Sequence, residues 1–291
     1  MRPDLLPSES DVAAPVVHRD RTPLRGPRIG ELARQTLHLQ RRALALWSLG
    51  LAAMVGLYGS LWPSIRDQSS VTELMDQMPE VLRSLLAVND MSTPVGYVQA
   101  ELLGLTGPLL VILFAVLTGS NAIAGEEDRR SLDLLLADPV SRTRVVLERM
   151  AAMTVGLAVL VTAIGLALGV ARVFAGLELP VGRVAAAMLH LGLLGAVFGA
   201  LAVAVGAATG RLAVSRAVPA VVAVLAYLVN GLAPLVDWLE PFRELSPFAQ
   251  YANHVPLVNG VSTSGVLVAL STAAVLGGVA VASFRRRDIA G

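Results

Sequence analysis

The sequence predicts an all-α membrane protein with six spanning helices, and three observations carry that expectation. Hydrophobic residues make up 55% of the 291 positions and charged ones only 15%, with a mean hydropathy of +0.66, too apolar for an ordinary soluble domain. Uncharged intervals run over 43–65, 102–125, 150–171, 184–210, 217–236 and 245–284, the last with a continuous apolar core from about 261. Each reaches the roughly 20 residues a helix needs to cross about 30 Å of hydrocarbon. Finally, these runs are apolar on every face, whereas the helices of a soluble bundle keep a polar stripe.

Arginine sets the orientation, because the chain has no lysine and all 23 basic residues are Arg. With both termini in the cytoplasm, only Arg66, Arg83, Arg172, Arg183 and Arg243 fall outside. This is the asymmetry expected of a multi-pass membrane protein. The net charge of +1 is explained by topology and points to no nucleic acid.

Taken in order, residues 1–28 are rich in Pro, Arg and Asp, lack apolar periodicity, and read as a disordered cytoplasmic tail. The segment 29–42, IGELARQTLHLQRR, places Ile29, Leu32, Ala33 and Leu37 near one helical face and ends in two arginines. It reads as an amphipathic helix lying on the inner membrane surface, with a plain extension of the first membrane helix as the alternative. The first apolar run is too long, and begins too far in, for a cleaved signal peptide.

An outer segment over 66–101 has helical spacing at Leu74, Met75, Met78, Val81, Leu82, Leu85 and Leu86, with Ser70 and Glu73 forming a capping box. A short outer turn with Pro180 joins the third and fourth crossings, and ATGRLAVSR makes a short inner turn with Arg211 and Arg216. Residues 236–260 gather Trp238, Phe242, Phe248 and Tyr251 among prolines, the composition of an outer re-entrant pair of short helices. An arginine cluster, FRRRDIAG, anchors the sixth helix inside.

Several chemistries are excluded or left without support. Lacking lysine, the chain has no Walker A motif, so any ATP use belongs to another polypeptide. The absence of cysteine removes disulfides, thiol catalysis and Cys-ligated metals. His18, His38, His190 and His254 are scattered, with no HExxH and no nucleophile elbow, so neither a catalytic site nor a metal site is expected. Within the crossings, Glu101, Asn121, His190 and Asn230 are polar groups of the kind that face a bundle interior. They are candidates for a substrate path, with interhelical hydrogen bonding or solvation at helix ends as the alternative. Gly192, Gly195, Gly199 and Gly206 permit close helix packing.

The stretch GEEDRRSLDLLLADPVSRTR, residues 125–144, interrupts this apolar pattern between the second and third crossings. Helical spacing groups Leu132, Leu135 and Leu136 on one face and Glu126, Arg129, Arg130 and Asp133 on the other. Pro139 stops the helix, and Asp138 is placed to cap the next one.

This stretch resembles the corresponding region in permease subunits of the type-two ATP-binding cassette exporters. An acidic pair, a basic step, a leucine-rich helix, a proline and a Ser-Arg element follow in the same order. TPVGYVQAELLGLTGPLL, LSPFAQYANHVPLVNG and SFRRRDI are similar to segments of that family, so the resemblance covers roughly residues 30–288. It implies an N-terminal elbow helix, six membrane helices, a cytoplasmic coupling helix over 126–138 and an outer re-entrant hairpin before the sixth helix. Glu126, Glu127, Asp128, Arg129, Arg130, Leu132, Asp133, Leu135 and Leu136 would dock on a separate nucleotide-binding ATPase subunit, which holds the ATP and Mg. The chain itself would carry no cofactor. A second permease subunit, membrane lipid and a transported small molecule complete the implied partners, in a bacterial-type cell membrane. Arg130 stands where many relatives carry a small residue. Two other readings stay open: a module that passes ATPase motion to an extracytoplasmic partner, and a membrane enzyme or scaffold without an ATPase.

Overall fold

The computed structural model describes residues 29–66, 77–85, 91–128, 141–244 and 246–287. Among them there is no strand, and six helical spans are long and apolar enough to cross a membrane. The expected tail over 1–28, the capping box at Ser70 and Glu73, Leu74, Met75, Leu86, and all of 129–140 lie outside the described residues.

The helices are α1 (Glu31–Arg66), α2 (Glu80–Leu85), α3 (Pro94–Val98), α4 (Thr106–Ala122), α5 (Ala124–Asp128), α6 (Arg142–Ala175), α7 (Val181–Thr209), α8 (Leu212–Leu232), α9 (Glu240–Arg243), α10 (Pro256–Asn259) and α11 (Thr263–Arg286). The six spans are α1, α3 continuing into α4, α6, α7, α8 with the short turn after it, and α11. Of these, α7 is central and packs against α4, α6, α8 and α11, while α1 packs along α6.

The segment 29–42, expected as a surface helix, is helical and continues without a break into the first span, as α1 runs for 36 residues from Glu31 to Arg66. The reason is tertiary. Leu32 and Thr36 are buried, the Glu148 carboxylate of α6 accepts from the Ala33 N–H at 3.2 Å, and Arg149 donates to the Thr36 hydroxyl at 2.8 Å. Glu148 thereby satisfies one of the unpaired donors at the start of α1, and the extension is pinned to α6. The N-cap of α6 also differs from expectation: the Ser141 hydroxyl accepts from the Arg144 N–H at 3.3 Å.

Close approach organises the centre. A Cβ placed on Gly119 of α4 would lie 2.6 Å from the Gly199 carbonyl oxygen of α7, so the two backbones touch where no side chain fits. Gly195 sits against Val111, and Gly206 against the Ser215 hydroxyl, each at about 3 Å or less from a would-be Cβ. The expected small-residue packing is therefore present at three of the four named glycines; Gly192 meets only ordinary contact at 3.5 Å.

Two buried serines at this centre are matched across helices. Pro219 lies inside α8 and has no N–H to give the Ser215 carbonyl one turn earlier. The Ser120 hydroxyl of α4 donates to that carbonyl at 3.0 Å, and the Ser215 hydroxyl donates to the Ala202 carbonyl of α7 at 2.8 Å. Ser120 and Ser215 are both fully buried. Three helices are thus joined through a carbonyl that a proline leaves free.

The second span is not one straight helix. Between α3 and α4 lie a π turn over Gln99–Leu103 and a break at Leu105, whose φ is −134° and ψ −53°. Pro108 in the first turn of α4 cannot donate to the carbonyl four residues back, which favours a break there. A second π turn, Ala249–Asn253, lies in the hairpin between α9 and α10. The two irregular turns meet: the buried Tyr251 hydroxyl donates to the Leu103 carbonyl at 2.8 Å. The 236–260 segment accordingly forms short helices, with Phe248 and Tyr251 buried against the bundle and Trp238 left 71% exposed.

Two outcomes follow from this packing. Gly119→Ala should lower thermal stability in detergent, at a cost of about 1–3 kcal/mol for overpacking against backbone, whereas Gly192→Ala should leave it unchanged. Equal melting shifts would contradict the crossing. Tyr251→Phe strands a buried carbonyl, a cost of about 1–3 kcal/mol, and faster amide exchange confined to residues 99–105 and the hairpin is the expected signature.

Candidate functional site

One end of the bundle carries a layer of charged side chains that begins at α5. Ile123 breaks the end of α4, with φ −127° and ψ −62°, and the N–H groups of Glu126 and Glu127 donate to its carbonyl at 3.1 and 3.0 Å. Ala124 and Gly125 are buried. A Cβ on Gly125 would lie 2.7 Å from the Asn121 amide oxygen, so the root of α5 is seated tightly on the end of α4.

From this root the two carboxylates diverge. Glu126 pairs with Arg149 of α6 at 3.3 Å, and Arg149 in turn reaches Thr36 of α1. Glu127 pairs with Arg287, just past α11, and Arg287 also donates to the carbonyls of Gly206 and Ala207 near the end of α7, at 3.4 and 3.1 Å. Arg142 at the start of α6 donates to the carbonyls of Phe284 and Arg287 at 3.1 and 2.6 Å and stacks over the Phe284 ring at 5.7 Å. Helix C-termini expose carbonyls with negative partial charge, and arginine satisfies both the hydrogen bonds and the charge. The layer is completed by Arg144 with Glu148 at 2.7 Å and by Arg216 donating to Asn121 at 3.2 Å.

Both ion pairs at α5 are partly shielded, with side chains only 11% to 25% exposed. Removing one member leaves the other charged in a poorly solvated place, which is costlier than losing an exposed pair. The root of α5 is therefore held between α6 with α1 on one side and α11 with α7 on the other.

Of the sequence-predicted coupling residues, Glu126 and Glu127 sit in this layer and Asp128 is exposed at its edge. Glu126 and Glu127, expected at a docking rim, are committed to partners within the chain. Arg129, Arg130, Leu132, Asp133, Leu135 and Leu136 lie outside the described residues. Arg149, Arg287, Glu148 and Thr36 also belong to this layer, and no sequence motif marks them as site residues. The available signal for Arg287 was its place in the terminal arginine cluster, and for Arg149 its place at the arginine-rich edge of a membrane run.

The four polar candidates for a path are not brought together, and among the described residues no hydrogen bond joins any two of them. Asn121 belongs to the charged layer. At the opposite end, His190 Nε2 accepts from the Ser262 N–H at 3.1 Å, linking α7 to the start of α11. This is the interhelical hydrogen bonding given as the alternative for such residues. Glu101 lies half-buried in the π turn, and the Asn230 amide oxygen is buried without a hydrogen-bond partner. An apolar opening lies elsewhere, between α4 and α8. It is a groove of about 220 Å³ walled by Leu109, Leu113, Val116, Val224 and Tyr227.

No curated protein sequence matches this chain. A family model does, described as multidrug efflux system permease Rv1217c, C-terminal domain, and it matches residues 35–285. The match runs from the extension of α1 to the last turn of α11 and takes in α5 with Glu126, Glu127 and Arg149. By that span the chain belongs to the multidrug efflux permease family, in agreement with its resemblance to permease subunits of ATP-binding cassette exporters.

Proposed function

We propose that the chain is the membrane subunit of an ATP-driven exporter of drug-like, lipid or other amphipathic molecules, working with a separate ATPase. The single observation that carries this reading is the clamped root of α5. A short helix whose two carboxylates reach α6 and the end of α11 is a mechanical junction, because displacement of the segment after it is passed to both sides of the bundle. The orientation that fits has the arginine-rich end in the cytoplasm, where the ATPase and its ATP and Mg are found.

In this reading the chain uses two sets of residues for two tasks. Arg129, Arg130, Leu132, Leu135 and Leu136 dock on the ATPase, the leucines inserting and the charges surrounding them. Glu126 and Glu127 transmit, through Arg149 and Arg287, the movement that docking imparts. Closure of the ATPases then shifts the membrane helices between inward-open and outward-open or collapsed arrangements. A second permease, identical or related, packs on the α4 and α8 face. The groove there is apolar, and Val221, Val224 and Leu225 of α8 are more than half exposed, which suits a two-fold assembly with an amphipathic substrate between the copies.

Docking and transmission are separable by experiment. Arg129→Glu with Arg130→Glu should remove the ATPase from the purified complex. Glu127→Ala should leave the complex intact but lower ATP-dependent efflux about tenfold, the effect of losing one partly shielded ion pair. The exchanged pair, Glu127→Arg with Arg287→Glu, should recover part of that loss. Full efflux by Glu127→Ala would remove the transmission role, and an unchanged complex with the double reversal would remove the docking role.

A further inference from the structure

At the end of the bundle opposite the charged layer, α7, α11 and the hairpin line a partly open cavity of about 70 Å³. It is separate from the groove between α4 and α8. Its walls are apolar side chains of α7 and α11, including Leu194 and Val268, and its polar lining includes His190, Glu244, Gln250 and Thr272. We propose that this cavity binds the cationic headgroup of a single-chain amphiphile, a quaternary or primary ammonium, whose alkyl tail lies along the lipid-facing side of α11.

Charge decides the headgroup. Glu244 is the only lining residue with a formal charge, and among the described residues it has no ion-pair partner. Its neighbour Arg243 does not line the cavity and donates instead to the Asn253 amide oxygen at 2.7 Å. His190 adds no positive charge, because its Nε2 accepts from Ser262, which only the neutral ring can do. Glu244, exposed at the mouth of a pocket with no other formal charge, therefore favours a cation there and repels an anion. A zwitterionic phospholipid fits less well, since its phosphate would find no arginine in the lining.

Size and rigidity decide the rest. Pockets for whole drug-sized molecules run to about 300–1,000 Å³, so this one takes a headgroup and leaves the tail outside. Exposed Leu267, Leu270 and Val275 of α11 offer the tail an apolar surface. One wall is fixed by close packing: a Cβ on Gly265 would lie 3.2 Å from both the Gln250 carbonyl oxygen and His190 Cε1. Tyr251 also lines the cavity, its hydroxyl tied to Leu103, and aromatic rings suit quaternary ammonium groups.

The test uses the full chain in phosphatidylglycerol nanodiscs with a diazirine-bearing decyltrimethylammonium photolabel, and reads binding without any ATPase or transport. Label should map to residues 190–197 and 265–272, compete with decyltrimethylammonium, and resist decyl sulfate. Dodecylphosphocholine, carrying the same choline group beside a phosphate, should compete more weakly. Glu244→Gln should reduce competed labelling about tenfold, on the scale of one charge-assisted contact, and Ala269→Phe, which fills the cavity, should abolish it. Glu240→Gln, exposed on the same hairpin, should label as the wild type. Unchanged labelling in Glu244→Gln, equal loss in Glu240→Gln, or competition by decyl sulfate or dodecylphosphocholine matching that of decyltrimethylammonium would overturn the proposal. Because exporter activity is not read, failure here leaves the transport reading standing, and failed transport leaves this site standing.

Discussion

Helix α7 meets α4 where Gly119 lies against the carbonyl of Gly199, and most of the remaining geometry depends on that approach. In hydrocarbon, helices gain little from burying apolar surface, so close van der Waals contact and shared hydrogen bonds hold them together. Gly195 and Gly199 bring α4 and α6 onto α7, and Gly206 brings in Ser215 of α8. The Ser120, Ser215 and Ala202 hydrogen bonds then lock α4, α8 and α7 in register. With α4 held there, its last turn has one position relative to α6 and α11, and α5 is delivered between them.

The two ends of the bundle solve one problem differently. Helix ends leave backbone donors and acceptors unpaired, and six spans produce many such ends. At the arginine-rich end, charged side chains from other helices meet them: Glu148 at the start of α1, Arg142 at the end of α11 and Arg287 at the end of α7. Each of these caps is also an interhelical tie, so satisfying the backbone and joining the helices are the same act. At the opposite end two ties between elements are neutral, from Tyr251 to Leu103 and from Ser262 to His190, while Arg243 is used within the hairpin on Asn253. Neutral ties hold position without placing charge against the membrane interior.

The six spans were legible because length and continuous apolarity are properties of the sequence alone. The small residues of α7 were legible for the same reason, since a glycine at a crossing is a statement about space. What lay beyond reach was partner choice. Nothing in the local pattern of Glu126 and Glu127 says that their partners are Arg149 and Arg287, the second 160 residues away in the chain. The amphipathic pattern of 29–42 suits a surface helix and a continued span equally well, and nothing in it names Glu148 and Arg149 of α6 as the partners of Ala33 and Thr36. His190 shows the same ambiguity, because a polar residue in an apolar run marks a need for a partner without naming it. The leucine face at Leu132, Leu135 and Leu136 rests on spacing and resemblance.

Irregularity is concentrated in the second span, and its placement bears on how the proposed machine works. Pro108 and the π turn interrupt it at one end, and Ile123 at the other, leaving α4 as a continuous helix between two breaks. Both breaks are braced: Tyr251 of the hairpin holds Leu103, and the two ion pairs hold the root of α5. Between them, Gly119 and Ser120 fasten α4 to α7 and α8 about a turn from the Ile123 break. The groove between α4 and α8 lies between the two braces. In the proposed cycle, a movement entering at Glu126 and Glu127 would meet the groove before the hairpin, with the Tyr251 hydroxyl as the tie through which the hairpin would receive it.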